Sequence, residues 1–434
     1  MAEDNDLPEK QPGDFTEMTI GIYGVSSQSG RAYFADYISK GYSVIGYARP
    51  SGHGKNIVSE ITKEKGLWLR RPQNQNDEMT RFVTLGRNKI TNEISKLVEL
   101  SDIIIIAIPS NYHSEAVEEL KVHGLAGKKI PIILSPSRTF APPYIWKVLG
   151  NNFPVVCFST VPYSCKALAP ATVYIKRRKR TWFASLEGKF HADETNLVRK
   201  LFPQAVLSTA PAATSLNNIG AVFHPASYLL NLEEIEQAKK ENRSYSFYIE
   251  GIARKPNIGK YIEKIDQVRL SIAHNLGIET FGLASDPRED AWRAFMQELR
   301  MAEGKETDIE KLRSLRKKFL QRIDNCVISA QHWLDITYGV ERQPGESLHK
   351  TILRTPTYQR NSVPQLRYID EDIPTGLVPL ESLAENFGVN HKEISHIIDL
   401  YEKQFKNDVR KIGRNLHEFS REYMRQYLND NLGG

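Results

Sequence analysis

The sequence predicts an α/β protein, with a Rossmann-like, doubly wound parallel sheet followed by an all-helical second domain. Three observations predict it. Short β-branched runs alternate with helical stretches through the first half of the chain. A turn bearing glycine and serine joins the first strand to the first helix, and from Asn217 onward the pattern is almost all helix. With 434 residues, two domains is the natural division. The expected pieces are a disordered tail over 1–17, a dinucleotide-binding domain over 18–210 and a helical substrate domain over 211–434.

Taken in order, Met18–Tyr23 reads as the first strand, and a helix runs from about Gly30 to Lys40, stopped by Gly41. Tyr42–Tyr47 is the second strand. Ile90–Leu100 is helical by period, Ile103–Ile108 is a strand, Ser114–Leu120 a helix, and Lys129–Leu134 and Val155–Ser159 are strands. The basic run Lys176–Arg180 lies between two short β-like runs and reads as a solvated hairpin turn. Expected helices of the second half are Leu229–Glu241, Asn257–Leu276, Pro287–Met301, Ile309–Tyr338, Leu380–Phe387 and His391–Tyr427. For the last of these, a packed helix with a charged outer face is the default, and a homodimer contact is the alternative. The polar segment Gly345–Leu366 reads as a long connection.

Composition removes several function classes. Hydrophobic residues at 40% and charged residues at 25% suit a chain with a sizeable core and do not suit a disordered one. The longest obvious apolar run, Ile103–Pro109, falls far short of the roughly 20 residues of a membrane span. A net charge of +6 is a mild bias towards anionic ligands, so neither a nucleic acid nor a membrane is expected as partner. The 3 cysteines form no C-x-x-C pair, which argues against a disulfide framework or a metal site. The first residues are polar and acidic and read as neither secretory signal nor transit peptide, so a cytoplasmic location is expected.

The strand–turn–helix at Gly24-Val-Ser26-Ser27-Gln-Ser29-Gly30 has the layout that holds a dinucleotide, although only the first glycine keeps the usual register. Serine is small enough to stand in for glycine, and its hydroxyl can bond a phosphate. The second strand ends in Tyr47-Ala-Arg49-Pro-Ser51-Gly-His-Gly-Lys55, with no acid to hold ribose hydroxyls. Arg49, Ser51 and Lys55 suit a 2′-phosphate, so NADP is the expected cofactor, NADPH being preferred over NADH.

Two segments of the second half carry chemistry: Asn217-Asn218-Ile-Gly-Ala-Val-Phe-His224-Pro225, and Arg367-Tyr-Ile-Asp-Glu-Asp372-Ile-Pro-Thr-Gly376. With Pro109-Ser110-Asn-Tyr-His113, Pro162-Tyr163-Ser-Cys165-Lys166 and Tyr245-Ser-Phe-Tyr248, they resemble the opine dehydrogenases, the family of octopine dehydrogenase and the staphylopine-type metallophore enzymes. The resemblance runs from about residue 18 to residue 400. It implies reductive condensation of an amino acid, or an amine-bearing metallophore precursor, with a 2-oxo acid. An imine forms and NAD(P)H reduces it.

In that pattern His224 is the acid/base, Asp372 its carboxylate partner and Arg367 the anchor of a substrate carboxylate. Tyr163, Cys165, Asn218 and Tyr248 fall in substrate-binding segments, and Pro109 and Ser110 beside the cofactor. The chain departs from the family at Ser135-Pro136-Ser137-Arg138-Thr139, where a glycine-containing turn is usual; that loop faces the nicotinamide in the family. Two other readings stay open, an NADP-dependent 2-oxo acid or imine reductase without condensation and a non-catalytic NADP-binding redox sensor. A His224–Asp372 pair in contact would count against the sensor.

Overall fold

The computed structural model describes residues 18–72, 78–179, 181–282, 297, 301, 309–338, 340, 343, 345–359, 364 and 366–430. The chain divides into two compact units. The first runs to Ser137 and resumes over Ala141–Ala205; the second comprises Arg138–Phe140 and the chain from Val206.

The first unit is built on a main sheet whose strands are β1 (Thr19–Tyr23), β2 (Ser43–Tyr47), β5 (Lys89–Thr91), β6 (Ile103–Ile106), β7 (Ile132–Leu134), β8 (Val155–Phe158) and β11 (Trp182–Glu187). Seven strands of this eight-stranded sheet lie in the order β11-β8-β7-β6-β1-β2-β5, parallel except where β11 runs antiparallel to β8. Strand β1 pairs with β2 on one side and β6 on the other, in the register Ile22↔Gly46 and Ile22↔Ile105. The strand order therefore reverses at β1, which opens a crevice beyond its carboxyl end. The four isoleucines of β6 are fully buried. Strands covered on both faces read as unbroken apolar runs, and each such side chain contributes about 1.5–3 kcal/mol on burial.

A second sheet was not expected from the sequence. Strands β3 (Gly66–Pro72), β4 (Glu78–Thr84), β9 (Tyr163–Ala169) and β10 (Thr172–Arg178) form it in the order β4-β3-β10-β9. It overturns the hairpin reading of the basic run. Lys176 and Arg178 lie within β10, which pairs with β9 and β3, whereas β11 joins the other sheet. The buried Val173 and Ile175 alternate inward along β10 and fix its register.

This second sheet meets the helix Gln28–Ser39 at one charge cluster. Asp36 is fully buried, 2.7 Å from Arg71 and 3.1 Å from Lys40, bonded also to Arg178, and it accepts from the Tyr163 hydroxyl at 2.8 Å. Burial alone would raise its pKa. Lys40, Arg178 and Arg71 outweigh that and hold the carboxyl well below its usual range.

The second unit is helical. Its centre is the helix Ile219–Leu229, packed against Pro256–Leu276, Arg367–Asp370 and Lys392–Phe405. Three expected helices are interrupted. Leu229–Glu241 breaks at Asn231, whose side-chain amide donates to Ser227 O at 2.7 Å and Gly251 O at 3.0 Å. Ile309–Tyr338 divides into Ile309–Leu320 and Ala330–Tyr338, because Val327–Ile328 pairs in parallel with Thr280–Phe281. His391–Tyr427 becomes Lys392–Phe405, Val409–Ile412 and Arg421–Asn429, with Lys406 left-handed after the first and Ser420 capping the last. The expected connection Gly345–Leu366 contains a short helix, Leu348–Leu353. The expected helix Pro287–Met301 lies outside the described residues, save 297 and 301. No helix among the described residues is long and apolar enough to cross a membrane.

Replacing Asp36 with Asn leaves three cations without their shared counter-charge. Urea unfolding at neutral pH should show a loss of about 3 kcal/mol or more. Because the folded pKa is depressed, this contribution is present above the ordinary carboxylate pKa of about 3.9 and is lost as pH falls through the folded value. The deficit of Asp36→Asn relative to wild type should therefore shrink in strong acid.

Candidate active site

In the first unit, the turn after β1 has the shape the sequence suggested. Gly24 has φ +100, and a Cβ there would lie 2.4 Å from Ile108 Cγ2. Gly30 lies so close to the turn that its Cβ would meet Gly24 O at 2.1 Å. The Gly24 and Val25 amides both donate to Tyr47 O, at 2.9 and 3.0 Å. A cradle closed this tightly suits a pyrophosphate resting against backbone at a helix N-terminus, so the residues present fit a dinucleotide.

The serines divide their work. Ser27 is the N-cap of Gln28–Ser39: its hydroxyl accepts from Gly30 N at 2.9 Å and donates to Ala107 O at 2.5 Å. It is occupied in holding the turn; Ser26 is half-buried in that turn, and Ser29, at the start of the helix, donates to Ala107 O at 3.3 Å. Ser51 is likewise an N-cap, of the helix Gly52–Glu64, and accepts from Gly54 N. Pro109 and the buried Ser110 follow β6, and Lys55 is exposed.

The surroundings of Arg49 were not read from the sequence. No acid stands on its own loop, yet Glu115 lies 2.9 Å and Glu119 3.4 Å from its guanidinium. Both come from the helix His113–Val122, four residues apart and therefore on one face. Two glutamates four residues apart on a helix after β6 were the available signal. Arg49 also donates to the Tyr23 hydroxyl at 2.8 Å, and both Tyr23 and Tyr47 donate to Glu119.

In the second unit, His224 and Asp372 are brought together. His224 sits mid-way along Ile219–Leu229, and Asp372 immediately precedes the π turn Ile373–Leu377. Imidazole Nδ1 is 2.6 Å from Asp372 Oδ2, and Nε2 is 3.0 Å from the Tyr248 hydroxyl. Burial by itself would raise the Asp372 pKa. Arg138, His224 and, more weakly, Arg367 reverse this and hold it below the usual range. An ionised Asp372 can only accept, so Nδ1 carries the hydrogen and Nε2 is the nitrogen that meets the Tyr248 hydroxyl.

Rings enclose this pair. Tyr368 stacks on the imidazole at 4.3 Å and 15°, and Tyr248 stacks on Tyr358 at 3.8 Å and 18°. Neither Tyr358 nor Tyr368 was picked out from the sequence. Tyr368 had a signal, since it stands beside Arg367 in the segment already marked. Burial pushes the Tyr248 phenol well above its ordinary pKa, so it stays neutral as a hydrogen-bond partner. Arg367 is exposed, its guanidinium 5.8 Å from the Tyr368 ring centre.

Other expected residues lie elsewhere or are otherwise engaged. Asn218 is buried, accepts from Arg138 Nη1 at 3.1 Å and donates to Thr139 Oγ1 at 3.3 Å. Tyr163 belongs to the first unit, where its hydroxyl is committed to Asp36. Cys165 lies on β9 opposite Ile175, half-buried.

Residues 209–404 match the family described as "NAD/NADP octopine/nopaline dehydrogenase, alpha-helical domain". The helical unit is thus similar to the substrate domain of the opine dehydrogenases. An opine dehydrogenase from Arthrobacter sp. (strain 1C) is 26% identical over 337 residues, covering 76% of this chain and 78% of that protein. Octopine dehydrogenase solved with NADH and L-arginine has a TM-score of 0.66 at 15% identity, over 95% of this chain and 96% of the other. Yersinopine dehydrogenase with NADP+ bound gives 0.58 at 15% identity, over 96% of each chain. These likenesses agree with the α/β fold followed by a helical domain. Opine dehydrogenases are NAD(P)-dependent oxidoreductases acting on CH–NH bonds.

Gly24→Ala should therefore weaken dinucleotide binding at least tenfold. Quenching of protein fluorescence on titration with NADPH measures it. Gly41→Ala is the control, since Gly41 also has positive φ but a Cβ there meets nothing within 4 Å.

Proposed function

We propose that the protein is an NADPH-dependent opine dehydrogenase that condenses an amino acid, or a larger amine-bearing donor of the kind used for metallophores, with a 2-oxo acid. The observation that carries this reading is the 2.6 Å His224–Asp372 contact, with Nε2 left as the exchanging atom. A pair preserved at this distance argues against the non-catalytic sensor. Octopine dehydrogenase, of the same fold, has been solved with NADH and L-arginine and with NADH and pyruvate, so substrates of these two classes are the first to test.

Chemically, the amine attacks the keto carbon to give a carbinolamine. Its hydroxyl must leave as water, and His224 Nε2 donates the proton that makes it a leaving group. Asp372 holds the tautomer and stabilises the imidazolium that precedes this step. NADPH, when bound at the Gly24 turn, supplies the hydride that reduces the C=N bond. Tyr248 occupies the position beside Nε2 that a substrate atom must reach, which makes it the residue that first meets substrate. Arg367, exposed beside Tyr368, is proposed to take a substrate carboxylate through its planar fork.

The preference for NADPH rests on the end of β2. Lys55 and the N-terminus of Gly52–Glu64 add positive charge next to Arg49, whose own charge is shared with Glu115 and Glu119.

The test is oxidation of NADPH and of NADH, followed by the absorbance of the reduced nicotinamide, across a grid of 2-oxo acids and amino acids with each omitted in turn. Turnover should need both substrates and favour NADPH. His224→Gln should reduce it by roughly 10²–10⁴ while leaving NADPH binding intact. Equal turnover without the amine would replace the reading with a simple reductase.

A further inference from the structure

The turn after β7 reads Ser135-Pro136-Ser137-Arg138-Thr139, and the structure shows what its arginine does. Arg138 has φ +63, a conformation that few residues other than glycine adopt. Its side chain is largely buried beside the His224–Asp372 pair. Nε donates to Glu371 Oε1 at 3.1 Å, Nη1 donates to Asn218 Oδ1 at 3.1 Å, and the same Nη1 lies 3.2 Å from Asp372 Oδ1. Asp372 is thus divided, with one oxygen facing His224 and the other facing Arg138.

Room for this guanidinium is provided by Gly220, one turn before His224. A Cβ at Gly220 would come within 2.8 Å of Arg138 Nη1 and 3.0 Å of Asp372 Oδ1. Three separate features, a left-handed arginine, a helix glycine and a buried Asn218 carbonyl, therefore converge on one cation.

We propose that Arg138 is a positioning residue that acts through Asp372. Opposed by Glu371, it sets how tightly the His224–Asp372 pair holds its proton. The inference rests on the reading of His224 and Asp372 given above.

Among the described residues, Tyr338 and Tyr358 reach the pair through Tyr248. Arg138 and Glu371 approach from the Asp372 side. Arg367 and Tyr368 come from the short helix Arg367–Asp370, and Tyr248 from the segment before Ile249–Ala253. The ion pair Asp266–Arg269 of Pro256–Leu276 is spent on Asn217 and backbone carbonyls, and Tyr401 of Lys392–Phe405 on Asp370. Of the two charges nearest Asp372, one is positive and one negative, so each can be removed separately with an opposite result.

With both present, the charges of Arg138 and Glu371 offset each other, and Arg367 acts on Asp372 more weakly. Removing Arg138 leaves two carboxylates there, and the pair binds its proton more tightly. Removing Glu371 leaves Arg138 against Asp372, and the proton is held less tightly. Removing both restores the starting balance. Shifts of about one pH unit or more, tenfold in proton affinity, are expected for charges at these distances.

The measurement is the pH dependence of hydrogen–deuterium exchange at the imidazole C2 carbon of His224, read by peptide mass spectrometry on the whole protein. It needs neither substrate nor cofactor. The midpoint should move up in Arg138→Gln, down in Glu371→Gln, and return close to wild type in the double variant. The double variant keeps the buried charge balanced, so it guards against a fold lost in the single ones. Identical midpoints in all of them, or single variants shifting in the same direction, would overturn the proposal. Turnover in His224→Gln judges the underlying reading separately. If that variant is inactive and the midpoints stay fixed, only the role of Arg138 is lost.

Discussion

A carboxylate almost wholly shut off from water is the constraint around which the helical unit is arranged. Asp372 has a side chain 1% exposed, and burying it alone would drive it to take up a proton. A protonated Asp372 would no longer be a plain acceptor for His224 Nδ1–H, and the tautomer that frees Nε2 would lose its support. The chain keeps the group ionised by supplying a guanidinium on one oxygen and an imidazole on the other. The left-handed Arg138, the missing side chain at Gly220 and the inward Asn218 amide are all consequences of that need.

The first unit meets the same requirement for a different end. Asp36 is as deeply buried as Asp372, but its charged partners are Lys40, Arg71 and Arg178, with no imidazole among them. Its partners come from the first helix and from two strands of the small sheet, so the cluster fastens that sheet to the helix. Burial and counter-charge are alike in the two places. What separates a structural carboxylate from a candidate catalytic one is whether an imidazole is among its partners.

How much of this was legible follows from how far apart the partners lie along the chain. The strand Ile103–Ile106 and the turn at Gly24 declare themselves through local pattern, because burial on both faces and a tight turn restrict residue type directly. His224 and Asp372 are 148 positions apart, and only the resemblance of their two segments to a known family paired them. The second sheet was missed because its strands come from two distant stretches and mix charged and polar residues with apolar ones, which breaks the apolar runs that mark β1 and β6. The basic run was read as a turn for a related reason. Charge suggested solvent, whereas Arg178 is drawn inward by a carboxylate 142 residues away. Arg49 was judged by its own loop, and its two glutamates arrive from another helix.

Phenols recur at both candidate sites, and their chemistry explains why. Tyr23 and Tyr47 donate to Glu119 beside Arg49, and Tyr248 meets His224 Nε2. Burial raises all three above the ordinary phenol pKa, so none contributes a charge near neutrality. Each satisfies a polar atom without altering the charge balance around it. At Arg49 this leaves the net charge to Glu115, Glu119 and the guanidinium. At His224 it leaves the net charge to Asp372 and to the Arg138 guanidinium beside it. A neutral hydroxyl on Nε2 also accepts when the imidazole is protonated and donates when it is not. The same contact is therefore compatible with either protonation state of the imidazole.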